Sequence, residues 1–324
     1  MGLWQIQQEM QEKRWYPSVI YTTWYDGTTV FERMLVPGGR PPGVDDYEAL
    51  DVGTTIFYRW SNQGTPDRLF PGPSIDWPVK SPLYLYPRLH LLTNGEVYRS
   101  GMTPHGVTIR HKDGGVAGTG PRAQWVAKGD GLVQRDYGAS FLYPNLDASL
   151  TDAVVHLGGR VTVQVSPPIY VYHNTVEISK ASASAAGSFD NDPQGWNWKS
   201  LPSMAHKRYF PNVVVLPDGS IVVFGGETDV APGYVFQAEL WNGGPNWLGL
   251  ANSSSPRGQH SSALLLSSGY VLVAGGDLRV SDYDIFVPRN CAASISDPGG
   301  RTRRSPSSPT AKPTTRSSTS CPPV

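Results

Sequence analysis

The sequence predicts an all-β fold built from a repeated β-hairpin, which two copies near the end show most clearly. Residues 208–226 read RYFPNVVVLPDGSIVVFGG, and residues 257–276 read RGQHSSALLLSSGYVLVAGG. Each copy has an aliphatic run, a turn glycine, a second aliphatic run and a Gly-Gly pair, and the two pairs are 50 residues apart. A hairpin that repeats at this period is typical of the blades of a β-propeller.

The composition favours the same fold class. The 324 residues include 35 Gly and 29 Pro, together about a fifth of the chain, which favours turns over long helices. Ten Trp and sixteen Tyr suit the packing between blades, although aromatic residues could equally form a sugar-binding surface.

Weaker copies of the hairpin precede the two clear ones. They lie at residues 14–39, 86–101 and 137–159. Polar-apolar segments that end near a Trp follow several of the Gly-Gly pairs, and they predict outer strands within residues 46–60, 174–198 and 234–247. Residues 14–288 are therefore expected to form about five blade-like units, behind an N-terminal lead at residues 1–13.

Residues 289–324 differ in character from the rest. They contain six Lys or Arg, one acid and both cysteines, Cys291 and Cys321, but no aromatic residue. A segment this poor in apolar residues cannot bury a core, so we expect a disordered, basic Ser/Thr/Pro-rich tail. An alternative is translated sequence from a disrupted reading frame.

Charge and hydropathy exclude some classes of partner. Outside the tail there are 21 basic and 26 acidic residues, a net charge of −5, which gives no reason to expect nucleic-acid or anionic-membrane binding. No apolar run approaches a membrane span. The first residues lack an apolar core of signal-peptide length, so no export signal is expected in the chain as written and its compartment stays unknown.

Four motifs resemble the galactose oxidase and glyoxal oxidase family of copper-radical oxidases. They are RWYPS at 14–18, the two hairpins quoted above, and DYDIFVP at 282–288. The resemblance implies a kelch-like propeller of seven blades with an immunoglobulin-like domain after it. Two blades and that last domain are then expected to be missing here. The family is typically secreted or held at the cell surface.

The resemblance also implies a copper site and its residues. The family holds copper with two tyrosines and two histidines. Tyr16 in RWYPS matches the equatorial tyrosine, which carries the radical and is cross-linked to a cysteine. His260 in RGQHS matches the first histidine ligand, whereas Gln259 stands where the axial tyrosine belongs. The cysteine and the second histidine have no counterpart in the matching residues.

These departures predict impaired catalysis. Cu(II) prefers a rigid tetragonal set of N and O ligands, and one imidazole with one phenol leaves that set incomplete. The Gln259 amide cannot accept a proton from a substrate hydroxyl near neutral pH. We therefore expect an oxidase-like protein for primary alcohols, aldehydes or carbohydrate, with weak copper binding and impaired release of hydrogen peroxide. The alternative is a non-catalytic binding or scaffold module, or an inactive truncated product.

Less specific interpretations stay open for the same residues and for others. Tyr16 could pack between blades, and His260 could be a core histidine. His105 and His111 suit a solvated loop better than a metal pair, and two more histidines are expected in the core, His90 and His156. Acids after the Gly-Gly pairs suit turns better than a glycosidase pair: Glu227, Asp229 and Asp277.

An incomplete ring of blades would expose strand edges and apolar faces. The sequence therefore also predicts poor solubility, which a soluble monomer with one cooperative unfolding transition would contradict.

Overall fold

The computed structural model describes fourteen stretches of the chain, and they are all-β. The stretches are residues 16–25, 30–36, 56–60, 70–71, 86–93, 97–100, 105–111, 123–130, 132–143, 152–164, 166–181, 196–278, 281–288 and 301–304. Within them there are 22 strands and no helix, which confirms the all-β prediction. None of these stretches contains a helix that could cross a membrane.

Two compact units divide the chain. The first contains residues 1–133, 149–154 and 179–198, and the second contains the remainder. Two four-stranded antiparallel sheets lie in the first unit. The first sheet has its strands in sequence order: β1 (Ile20–Tyr25), β2 (Val30–Val36), β3 (Ile56–Trp60) and β4 (Phe70–Pro71). The second sheet does too: β5 (Arg88–Leu91), β6 (Val97–Ser100), β7 (His105–His111) and β8 (Ala123–Asp130).

A third four-stranded sheet has residues in both units. Its strands, again neighbours in chain order, are β9 (Ala139–Leu142), β10 (Val154–Leu157), β13 (Val176–Ala181) and β14 (Trp196–Leu201). A separate two-stranded hairpin interrupts it between β10 and β13, formed by β11 (Arg160–Gln164) and β12 (Ile169–Tyr172).

Two further four-stranded sheets lie in the second unit. The fourth sheet contains β15 (Asn212–Val215), β16 (Ile221–Phe224), β17 (Gln237–Trp241) and β18 (Leu248–Asn252). The fifth contains β19 (Ser261–Leu265), β20 (Val271–Gly275), β21 (Tyr283–Phe286) and β22 (Arg301–Arg304). Strand β22 falls inside the predicted tail, whose other residues lie outside the described part of the chain.

All five predicted hairpins are present as neighbouring strands, and the pairing is antiparallel in the first, second, fourth and fifth of them. They open the five sheets as β1–β2, β5–β6, β9–β10, β15–β16 and β19–β20. The two clear copies pair with the same register, Asn212 opposite Phe224 and Ser261 opposite Gly275 at their first positions. Because the turn glycine is followed by an apolar run of fixed length, the Gly spacing was sufficient to predict these pairs.

Apolar packing joins the fourth and fifth sheets. Val222 and Val271 are fully buried in one cluster, to which Phe224 and Val273 also belong. Each buried aliphatic side chain contributes about 1.5–3 kcal/mol relative to exposure. Val214 of β15 belongs to this core and Ala263 of β19 packs against it, so the core holds the first strands of the two sheets together.

The Gly-Gly pairs connect consecutive repeats of the second unit through the backbone. Gly159 N–H donates to the Arg208 carbonyl at 2.8 Å, and Gly226 N–H donates to the Arg257 carbonyl at 2.7 Å. The first glycines of these two pairs, Gly158 and Gly225, have a left-handed φ of 61°, and a Cβ on Gly158 would lie 2.5 Å from the Arg208 carbonyl oxygen. Only glycine fits such a close approach, which explains the repeated pair.

A buried arginine and a carboxylate recur in each repeat of this unit. Arg135, Arg208 and Arg257 each donate to the carbonyl of the first glycine in their own repeat, at 2.8, 2.6 and 3.0 Å. Each also contacts an acid on the third strand of its sheet, namely Glu177, Glu239 or Asp284. The arginine of the RYFPN and RGQHS motifs is therefore a structural residue.

Candidate functional site

One backbone position recurs shortly before the first strand of each of the five four-stranded sheets. It has a left-handed φ of 54–60° at Tyr16, Tyr86, Tyr137, Phe210 and His260. A bulky residue in this region is strained and persists only where its surroundings require it. The two motif residues Tyr16 and His260 therefore occupy equivalent positions in their own repeats. The spacing from the motif arginine hides this equivalence, because it is two residues for Tyr16 and three for His260.

Tyr16 lies in the first unit, against the equivalent residue of the next repeat. Its ring stacks on Tyr86 with centroids 4.6 Å apart, and its carbonyl accepts the Tyr86 N–H at 3.0 Å. In the second unit Tyr137 and Phe210 repeat this arrangement, with centroids 4.5 Å apart. The structure therefore shows the packing between repeats that was the alternative interpretation of Tyr16. The role of Tyr16 as a metal ligand stays a prediction.

His260 lies in the second unit and is exposed. Its Nδ1 is hydrogen-bonded to Asp277, the residue that follows the Gly-Gly pair of the same repeat. The His260 side chain is 44% exposed, so the interpretation of His260 as a core histidine is wrong. A carboxylate on one imidazole nitrogen is the arrangement that orients a metal-ligating histidine.

Glu227 connects Gln259 to a phenol of the preceding repeat. One Glu227 carboxylate oxygen accepts the Gln259 backbone N–H at 2.9 Å, and the other accepts the Tyr209 hydroxyl at 2.6 Å. Burial, followed by the hydrogen bond to Glu227, raises the pKa of Tyr209. Tyr209 holds the position in its repeat that Gln259 holds in the next, directly before the left-handed residue. The phenol near this site therefore keeps its proton at neutral pH.

Arg160 is a residue that sequence reasoning missed. It follows Gly158-Gly159, as Glu227 and Asp277 follow the next two pairs. Its backbone forms a bridge with Asp136, whose carboxyl pKa is raised by burial against the opposing effects of Gln134 and Arg160. The sequence did hold a signal for Arg160, because it follows its glycine pair at the position where the next two repeats have an acid.

The three residues after the glycine pairs lie along one series of contacts. The Arg160 guanidinium lies 4.4 Å from the centre of the Tyr209 ring, Tyr209 donates to Glu227, and Glu227 accepts from Gln259 beside His260. All of them belong to the second unit and lie before the first strand or after the second strand of a four-stranded sheet, and Arg160 is also the first residue of β11. We call Arg160, Tyr209, Glu227, Gln259, His260 and Asp277 the loop cluster.

The other sequence candidates lie elsewhere. His90 and His156 are buried in β5 and β10, as predicted, with His90 Nε2 at 3.1 Å from Ser100 Oγ. The loop predicted for His105 and His111 is wrong, because they are the first and last residues of β7. Asp229 forms an exposed ion pair with Lys207 at 3.6 Å. An open pocket of about 630 Å³ is lined by Lys207 and His206.

The loop cluster fits copper only in part. The His260–Asp277 pair suits a metal ligand with an orienting carboxylate. However, among the described residues no three His, Cys, Asp or Glu side chains are grouped to hold a metal ion. Gln259 adds an amide and Tyr209 a protonated phenol, which are poor ligands for Cu(II). The donors around His260 therefore do not make up a copper site.

Comparison with solved structures gives the class of fold. The chain is similar to a fungal alcohol oxidase described as having catalytic diversity among the AA5 family, in complex with copper, at 20% identity and a TM-score of 0.55. The match covers 84% of this chain and 50% of the oxidase, so the chain spans about half the oxidase's length. At this identity the likeness shows the fold alone, which is β-propeller-like.

The other comparisons add no family assignment. A second match, the SapL1 lectin in complex with α-methyl fucoside, has 13% identity and a TM-score of 0.24, too low to support an argument; it covers 84% of this chain and 93% of the lectin. No family model and no curated protein sequence matches the chain. The similarity to a copper oxidase thus agrees with the motif resemblance at the level of the fold.

Proposed function

We propose that this chain is an oxidase-like propeller protein, related to copper-radical oxidases of primary alcohols, aldehydes or carbohydrate, in which turnover is impaired. The observation that supports this most is the network at Gln259. An amide stands where the resemblance expects a phenol, and the nearby phenol of Tyr209 donates to Glu227 at 2.6 Å. Neither Gln259 nor Tyr209 offers a base for a substrate hydroxyl near neutral pH.

A copper titration of the purified chain, followed by electron paramagnetic resonance, tests this proposal. One oriented imidazole should give weak Cu(II) binding with a nitrogen signature. His260→Ala should remove that signature, whereas the control His206→Ala should retain it, because His206 Nε2 contacts Gln237 Oε1 at 3.0 Å, outside the loop cluster. Tight one-to-one binding would contradict an impaired site, and binding that survives His260→Ala would contradict the assignment of His260.

A second function, a non-catalytic binding module, is favoured by a different observation. Three tyrosine rings surround the guanidinium of Arg160 within 5.7 Å of their centroids. Aromatic faces beside a charged group are a common way to bind a hydroxylated ligand. This function needs no copper, so it survives if the chain shows no oxidase activity.

A further inference from the structure

Arg160 differs from the other arginines that accompany the glycine pairs. Arg135, Arg208 and Arg257 are at most 3% exposed and are neutralised by carboxylates. Arg160 is instead half-buried. Its Nε has no hydrogen-bond partner among the described residues, as is also true of Arg208 and Arg257, so the difference lies in its exposure and in its lack of a neutralising acid. Among the described residues, no carboxylate forms an ion pair with Arg160. A guanidinium without an acceptor is costly unless a ligand or water supplies one.

The Arg160 guanidinium lies over two tyrosine rings. Its central carbon lies 3.9 Å from the centroid of the Tyr170 ring and 4.4 Å from that of Tyr209. Tyr172 packs edge-on against Tyr209 at 5.1 Å. A guanidinium that lies over aromatic rings keeps its planar fork of N–H donors, and a planar carboxylate can bind such a fork with two parallel hydrogen bonds.

The charges nearby favour a singly charged ligand. Both oxygens of Glu227 already accept hydrogen bonds, from Tyr209 and from Gln259. Asp136 accepts from Gln134 Nε2 at 3.1 Å. One positive charge therefore faces a ligand against a background of acids, which repels a dianion such as a phosphate monoester more than a carboxylate.

We propose that Arg160, with Tyr170 and Tyr209, binds the carboxylate of an acidic sugar such as a uronic acid. The carboxylate receives two hydrogen bonds from the guanidinium, and the sugar hydroxyls lie against the tyrosines. This names the ligand class of the loop cluster. The proposed binding requires no copper. It rests on the proposed function only where the acidic sugar is treated as a substrate.

Calorimetry on the copper-free full chain tests this with two matched sugars, D-galacturonate and D-galactose. They differ in the carboxylate, so wild-type protein should bind galacturonate roughly ten- to a hundredfold more tightly, the range for a charge-assisted hydrogen-bond pair. Added salt should reduce that preference. Equal affinities, or no binding of galacturonate, would overturn the proposal whether or not the protein oxidises anything.

Variants locate the site. Arg160→Gln should abolish the preference for galacturonate, and Arg160→Lys, which keeps the charge but loses the planar fork, should retain only part of it. The control Lys207→Gln removes an exposed cation beside the open pocket and should leave the preference unchanged. A preference that survives Arg160→Gln, or that is lost in Lys207→Gln, would contradict the assignment.

Discussion

At the scale of single residues, two kinds of left-handed backbone position shape the second unit. Glycines occupy the positions where a Cβ would strike the backbone of the next repeat, as at Gly158. Bulky residues occupy the left-handed position before each first strand, and one of these is His260 with φ 60°. The repeat therefore places its variable side chains at strained positions, where functional residues are often found.

Gly158→Ala should destabilise the protein strongly. The new Cβ would lie 2.5 Å from the Arg208 carbonyl oxygen, at a φ of 61°. We expect a loss of several kcal/mol in the free energy of unfolding, measured by urea denaturation. Gly243→Ala is the matched control, since φ is 86° there and no atom lies within 4 Å of the added Cβ. It should cost only about 1 kcal/mol, and equal costs would contradict the explanation of the glycine pair.

At the scale of elements, each repeat of the second unit is held by a buried arginine and an acid from its third strand. In the fourth sheet Arg208 donates to Glu239 at 2.5 Å, and both side chains are at most 1% exposed. Glu239 also accepts the backbone N–H groups of Ala205 and His206, so it joins the segment before β15 to β17. The acid therefore fixes the approach to the motif residues Arg208 and Tyr209.

Glu239→Gln should leave Arg208 with a buried and unneutralised charge. Removing one partner of a buried pair costs about 3–5 kcal/mol of stability, and thermal or urea unfolding would measure it. Asp229→Asn is the control, because the Lys207–Asp229 pair is 3.6 Å long and both side chains are more than 40% exposed. Its cost should stay below about 1 kcal/mol. Similar losses in the two variants would contradict a structural role for the buried pair.

Much of the strand order could be predicted from the sequence, because the turn glycine precedes the glycine at the end of the second strand by six residues in the hairpins at 86–101, 208–226 and 257–276. The other two hairpins, at 14–39 and 137–159, keep the same order of apolar runs with longer spacings. The arginine partners could not be predicted. They lie 42, 31 and 27 residues after Arg135, Arg208 and Arg257, since the connections between second and third strands differ in length. The residues of the β11–β12 hairpin that we propose to bind a ligand were missed for a related reason. Arg160 meets Tyr170 and Tyr209 only through tertiary contacts.

At the scale of the whole molecule, the chain shares a fold with a copper alcohol oxidase. The two sequences are 20% identical, and the match covers 50% of the oxidase. A fold does not specify an activity, so the function depends on the residues in the loop cluster. There His260 is oriented by Asp277, Gln259 lies directly before it, and the nearby Tyr209 stays protonated. The number of blades and the closure of the ring remain predictions.

Hydrogen peroxide release distinguishes an impaired oxidase from an active one. The chain would be loaded with Cu(II) and offered galactose or glyoxal, with copper-free protein and His260→Ala as references. Because Gln259 provides no base and the copper donors are incomplete, release should not exceed that of the references. Copper-dependent turnover that disappears in Tyr16→Phe and in His260→Ala would contradict the proposed impairment.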